Sequence, residues 1–251
     1  YLADELNRTE TIYPQNKCLH ELFEEQARLT PGRPAVIFNE RQLTYAELNA
    51  RANQLAHVLR KRGVAAGAPV GLCVERSLEM IVALIGILKA GGAYLPLDPE
   101  QPAARLAYQV KAAGSSILIA QQSLLQQVCD LEVKILLVDS DRALFEEELR
   151  KNPELATSPD SPVYTIYTSG STGAPKAVSI SHRNLVNYSH FICRKLGLNP
   201  DTSEPGFHFG TVSTLSADLG NTSIFPALLS GGCLHIISHE LAMDGGAFAE
   251  Y

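Results

Sequence analysis

Short apolar runs of strand length recur along this chain, and amphipathic stretches of helical length lie between most of them. Strand-like runs fall at 35–38, 69–75, 93–97, 116–120, 135–138, 163–167 and 234–237. Helical patterns fall at 19–27, 45–62, 77–89, 105–113, 124–128 and 181–196. The 45–62 stretch is the best specified. Thr44 and Glu47 have the spacing of a capping box, Leu48, Ala52, Leu55, Ala56 and Leu59 form one apolar stripe, and Gly63 supplies the stop. Strands alternating with helices close as crossovers between parallel strands, and parallel strands need cover on both faces. The predicted fold class is therefore α/β, with layered, largely parallel sheets. Residues 1–17 are polar and aperiodic and read as a linker lying on something else; residues 39–41 read as a polar turn.

Composition narrows the function classes. Among 251 residues, 45% are apolar and 19% charged, with a net charge of −6. There is no long Lys/Arg run to lay along a nucleic acid, so none is expected as partner. The longest apolar run, about 80–88, is too short to cross a bilayer, and no signal-like opening precedes it, so no membrane is expected either. Cys18, Cys73, Cys129, Cys193 and Cys233 are dispersed and odd in number. That spacing argues against a disulfide framework or a zinc site, and for a reducing, cytoplasmic setting. The chain opens on Tyr1 and reads like a piece of a longer polypeptide.

The chemistry is concentrated after the 163–167 strand. Thr168, Ser169, Gly170, Ser171, Thr172 and Gly173 are all small, and Ala174 and Pro175 separate them from Lys176. Small residues let backbone amides close on an anion, hydroxyls add donors, and the lysine brings a mobile positive charge. The spacing is not that of a Walker loop. On composition alone, a flexible surface turn fits these residues as well as a phosphate loop.

The ordered string Tyr167-Thr-Ser-Gly-Ser-Thr-Gly-Ala-Pro-Lys176 resembles the signature loop of the adenylate-forming superfamily, which includes acyl-CoA ligases and luciferases. Two further segments are similar to core motifs of nonribosomal peptide synthetase adenylation domains: Leu43-Thr-Tyr-Ala-Glu-Leu48 and Leu88-Lys-Ala-Gly-Gly-Ala-Tyr-Leu-Pro-Leu-Asp98. Residues 6–24 resemble the linker from a condensation domain to an adenylation domain. The resemblance implies a linker over 1–17 and the first part of an adenylation-domain N-terminal core over 18–251, with an αβαβα layering. It implies ATP and Mg2+ as cofactors, an amino acid as substrate, a carrier domain bearing phosphopantetheine as acceptor, and an upstream condensation domain as partner. Thr168, Ser169, Gly170, Ser171, Thr172, Gly173 and Lys176 would contact the triphosphate, with Lys176 serving catalysis. The family's Mg2+-binding glutamate, ribose-binding aspartate and late lysine are not assigned within 251 residues. The chain alone is therefore not expected to complete catalysis.

One departure stands in the loop. The family has glycine after the motif lysine, and here it is Ala177. If that position requires positive φ, alanine costs about 1 kcal/mol or more.

Aligned on Ile224-Phe-Pro-Ala-Leu-Leu229, Asp218 takes the place of the family's substrate aspartate. A carboxylate at an apolar pocket selects a zwitterionic amino acid through its ammonium. Leu219 and Thr222 would line the side-chain pocket. Asp218 also fits a turn cap before Gly220. His182, His190 and His208 read as solvated or helix-end side chains rather than catalytic ones. Two other functions stay open: activation of a keto, hydroxy or aryl acid, and an inactive structural platform in a megasynthase.

Overall fold

The computed structural model describes Glu5 and residues 9–168, 175–198 and 207–251. Helix α1 (Leu19–Leu29) is followed by strands β1 (Pro34–Phe38) and β2 (Arg41–Thr44) and helix α2 (Tyr45–Lys61). The expected turn at 39–41 is the tip of a β1–β2 hairpin, made by Asn39 at φ 52°. Arg41 belongs to β2, a short polar strand without apolar alternation. The capping box of α2 is present: Thr44 Oγ1 accepts from the Glu47 amide at 3.2 Å, and Glu47 Oε2 accepts from the Thr44 amide at 2.8 Å.

Strand β3 (Pro69–Cys73) leads to α3 (Leu78–Lys89), β4 (Ala93–Pro96), α4 (Ala103–Ala113) and β5 (Ile117–Ala120). A 3-10 turn at Gln122–Leu124 shortens the next helix, α5, to Leu125–Val128, and β6 (Lys134–Leu137) and α6 (Arg142–Glu146) follow. Strands β7 (Pro162–Thr168) and β8 (Lys176–Ser181) precede α7 (His182–Lys195). The remainder is β9 (His208–Thr211), a 3-10 turn (Asp218–Gly220), α8 (Asn221–Ser230), β10 (Cys233–Ile236), α9 (His239–Met243) and α10 (Gly245–Glu250).

Two sheets result. One has the order β6-β5-β3-β4-β7-β8 and is parallel except for the β7–β8 pair. The other has the order β2-β1-β10-β9, parallel except for β1–β2. Period-two alternation divides the large sheet between two cores. Ile117, Ile119, Val70, Leu72 and Tyr94 face a core shared with α1, α2, α3, α8 and the small sheet. Leu118, Ala120, Cys73, Leu95 and Leu97 face a second core under α4 and α5. Among the described residues the layers run α4, large sheet, α2 and α3, then small sheet, and Tyr251 bonds to His235 of β10. The α/β, largely parallel expectation holds. Buried Tyr45 ties the central layer to the small sheet, its hydroxyl lying 3.0 Å and 2.8 Å from the carbonyls of Ala227 and Gly232. Of the polar opening segment, Tyr13 packs on the first core and Arg183 donates to the Gln15 carbonyl at 3.1 Å.

Candidate functional site

The glycine- and hydroxyl-rich motif closes a β-hairpin. In the β7–β8 register Thr168 stands opposite Lys176, with Tyr167 opposite Ala177. Both Thr168 and Lys176 are exposed, so an ammonium and a hydroxyl flank the mouth of the connecting loop. Ser169, Gly170, Ser171, Thr172 and Gly173 lie outside the described residues. Among the described residues Lys176 makes no ion pair, which leaves its charge available to an anion. Asn39 is the one non-glycine residue of positive φ among those described, so Ala177 is ordinary extended strand. The strain anticipated from alanine at that position does not arise, because strand pairing rather than a left-handed turn occupies it.

Asp218 opens the 3-10 turn that starts α8 and is exposed. Leu219 is 71% exposed. Thr222 is half-buried, and its Oγ1 lies 2.6 Å from the Tyr188 hydroxyl on α7. Beneath Asp218 lie groups whose role is not evident from spacing alone. Strand pairing sets Tyr94 beside Tyr164, with ring centroids 5.3 Å apart, and the Tyr94 hydroxyl donates to Asn221 Oδ1 at 3.3 Å. Burial raises both phenols above the ordinary tyrosine range; the Asp218 charge adds to that rise, ranking second for Tyr164 and more weakly for Tyr94. Asp218 thus sits within electrostatic reach of Tyr164, which precedes Thr168 on the same strand. Thr168 lies four steps along the strand from Tyr164, about 13 Å. The signal for Tyr94 and Tyr164 is a register between non-consecutive strands.

A cavity of about 1120 Å³ lies beyond the carboxyl ends of β3, β4, β9 and β10 and is lined in part by Glu75, Arg76, Asp98, Thr214, Ser216 and Ser238. Parallel α/β sheets place ligands at such ends. Neither Lys176, Asp218, Leu219 nor Thr222 lines it. The 212–216 segment separates it from Asp218, and Arg76 crosses it to donate to the carbonyls of Val212 and, at 3.1 Å, Ile237. We read it as the cleft between the sheets and assign the candidate site to the hairpin and the Asp218 turn instead.

His182 is fully buried, contrary to the solvated reading, and its Nδ1 accepts from the Leu19 amide at 3.3 Å. It is the first residue of α7, and Ser181 rather than the histidine caps that helix. His190 is half-buried beside a cavity of about 200 Å³ between α1, α7 and α8; His208 is exposed. Two groups among the described residues have the donors for a metal: Cys18, His20 and His182, and His208, Cys233 and His235. Neither contains a carboxylate or a residue of the hairpin mouth.

The profile of a family described as AMP-binding enzyme matches residues 23–251. The chain is 44% identical over 239 residues to a linear gramicidin synthase of Brevibacillus parabrevis, covering 94% of this chain and 3% of that protein. The nonribosomal peptide synthetase FmoA3, in its AMPPNP-bound form, superimposes with a TM-score of 0.84 at 33% identity, over 93% of this chain and 24% of that one. A second form of FmoA3, bound to α-methyl-L-serine-AMP, gives the same TM-score of 0.84. The Klebsiella oxytoca NpsA N-terminal subdomain, in complex with 3-hydroxyanthranilyl-AMSN, gives 0.80 at 28% identity, over 94% of this chain and 57% of that one. The chain spans 3–6% of the curated synthases it matches.

Proposed function

Because this chain belongs to the AMP-binding enzyme family, we propose that it supplies the first part of an adenylation domain that activates an amino acid in nonribosomal peptide synthesis. Residues 18–251 would be the beginning of the N-terminal core and residues 1–17 its connector from a condensation domain. The observation that carries the reading is the hairpin: a small-residue loop closed by Thr168 opposite Lys176.

In the reaction a substrate carboxylate oxygen attacks the α-phosphorus of ATP. The bond to the β-phosphate bridging oxygen breaks, and pyrophosphate leaves with that electron pair. The products are an aminoacyl-adenylate and pyrophosphate. The acyl group then passes to the phosphopantetheine thiol of a carrier domain, and AMP leaves. Charge builds on the phosphate oxygens during the first step. Lys176, exposed at the loop mouth, would neutralise part of it, and the amides and hydroxyls of 168–173 would hold the triphosphate. Asp218 would pair with the substrate ammonium, with Leu219 and Thr222 beside its side chain. The two donor clusters among the described residues contain no carboxylate, so neither suits Mg2+.

Replacing Lys176 by Ala in the full synthetase should lower amino-acid-dependent exchange of pyrophosphate into ATP by about 10²-fold or more. Since the side chain is exposed, thermal stability should be unchanged. Full exchange by Lys176→Ala would reject the assignment.

The aryl-adenylate analogue seen in NpsA favours a second reading, activation of an aryl acid lacking an ammonium. Asp218 separates the two. Under the amino-acid reading Asp218→Ala loses exchange with amino acids by about tenfold or more, as expected for a lost charged pair. Undiminished exchange in that variant, together with activity on an aryl, keto or hydroxy acid, would favour the second.

A further inference from the structure

The outer face of the small sheet gathers donors that the proposed adenylation chemistry does not use. On β10, Cys233 and His235 are two residues apart and point to one side, while Leu234 between them faces the core. On the neighbouring strand His208 stands directly opposite Cys233. One donor atom from each of the three lies within 4.8 Å of the others. Among the described residues the Cys233 thiol has no hydrogen-bond partner. Nitrogen and sulfur donors so arranged suit a borderline divalent cation and not a hard one.

We propose that His208, Cys233 and His235 form a binding site for a zinc-class divalent cation, with three protein ligands and a fourth position open to water. The protonation pattern is compatible with it. His235 Nδ1 lies 2.7 Å from the Tyr251 hydroxyl, and its Nε2 lies 2.7 Å from His208 Nδ1. With Nδ1–H donated to Tyr251, Nε2 carries the lone pair and faces the other donors. Such an outer hydrogen bond fixes tautomer and ring orientation at zinc sites. Two nitrogens on one tetrahedral zinc stand about 3.3 Å apart, from bonds of about 2.0–2.1 Å. The rings need to open by about 0.6 Å, and exposed His208 has room to move. On binding, Cys233 releases its proton to solvent and bonds as thiolate.

The second cluster behaves differently. His182 Nδ1 already accepts from the Leu19 amide, so the neutral ring carries its proton on Nε2 and has no lone pair left for an ion. It serves as an internal control.

The test uses the full chain, stripped by chelator and titrated with Zn2+ against a chromophoric competitor, with Co2+ substitution to report thiolate ligation. We expect one equivalent of Zn2+. His208→Gln, which leaves the fold intact by circular dichroism, should weaken it about tenfold or more, and Tyr251→Phe about tenfold. Cys233→Ser should remove the thiolate-to-cobalt absorption, and Cys18→Ser should change nothing. The proposal is overturned by a wild-type chain that binds no Zn2+, by an affinity indifferent to His208→Gln, or by loss of the site in Cys18→Ser.

Discussion

At the scale of single residues, Lys89 sets burial most directly against charge. Its ammonium is fully buried at the end of α3, paired with Glu24 of α1 and 3.2 Å from Asn152 Oδ1. Burial pushes it down to about 8, with the Glu24 charge opposing. Glu24 keeps 20% exposure, so its own charge stays partly solvated. The partners should therefore be unequal. Glu24→Gln strands a buried cation and should cost about 3 kcal/mol, whereas Lys89→Met fills the space with an apolar chain and should cost less. Urea unfolding of both variants at pH 7 reads the order, and a more damaging Lys89→Met would contradict it. Lys89 was visible in the sequence only as part of a motif; the carboxylate that answers it comes from 65 residues away. A long separation in sequence likewise hid the pairing of Tyr94 with Tyr164. The Thr44–Glu47 box, by contrast, was legible because a helix start is written in four consecutive residues.

Among the elements, α2 and α3 meet where Gly86 faces Leu55. A Cβ at Gly86 would come within 2.8 Å of Leu55 Cδ2 and 3.1 Å of its Cβ. Alanine gains about 1 kcal/mol of helix propensity to set against that contact, since the Leu55 terminus can rotate. Valine adds bulk that the Leu55 stem cannot evade. Gly86→Val should destabilise by about 1–3 kcal/mol, and thermal unfolding should rank it well below Gly86→Ala. Equal melting temperatures for the two would show that the helices separate freely. Elements that bury a continuous apolar run, such as β3 and α3, were evident from the sequence for that same reason. Strand β8 was not: four of its six residues are exposed, so it carries no apolar pattern, and its pairing with β7 defines it. Helix α8 was hidden by Pro226 in its interior, and β2 by its polar composition. Strand β9 was hidden similarly, and with it the juxtaposition of His208 and Cys233.

Across the whole molecule, α1 is held to α7 by a buried group of titratable side chains. His20 and His182 stack edge to face at 5.5 Å, and Cys18 donates its thiol to the Thr157 carbonyl at 3.3 Å. His20 is pushed down to about 3 by burial, then by the charges of His182 and Lys89; His182 is pushed down to about 4 by burial. Their ordinary value is 6.5, so between about 6.5 and 4 the unfolded chain binds protons that the folded chain refuses. The stability contributed by the neutral pair is complete above pH 6.5 and falls as pH drops toward the folded values. The slope approaches about 1.4 kcal/mol per pH unit for each histidine. Helix α7 follows the β7–β8 hairpin directly, and its Tyr188 meets Thr222 in the Asp218 region. Acid should therefore loosen the packing behind both halves of the candidate site together. His20→Gln removes one titrating group while keeping a polar side chain. Between pH 7 and pH 5 its unfolding free energy should fall less steeply than that of the parent chain, by about 1–2 kcal/mol over the interval. Parallel pH profiles from urea titrations would mean that His20 is protonated in the folded state, and that the joint between α1 and α7 carries a charge the surrounding packing would have to accommodate.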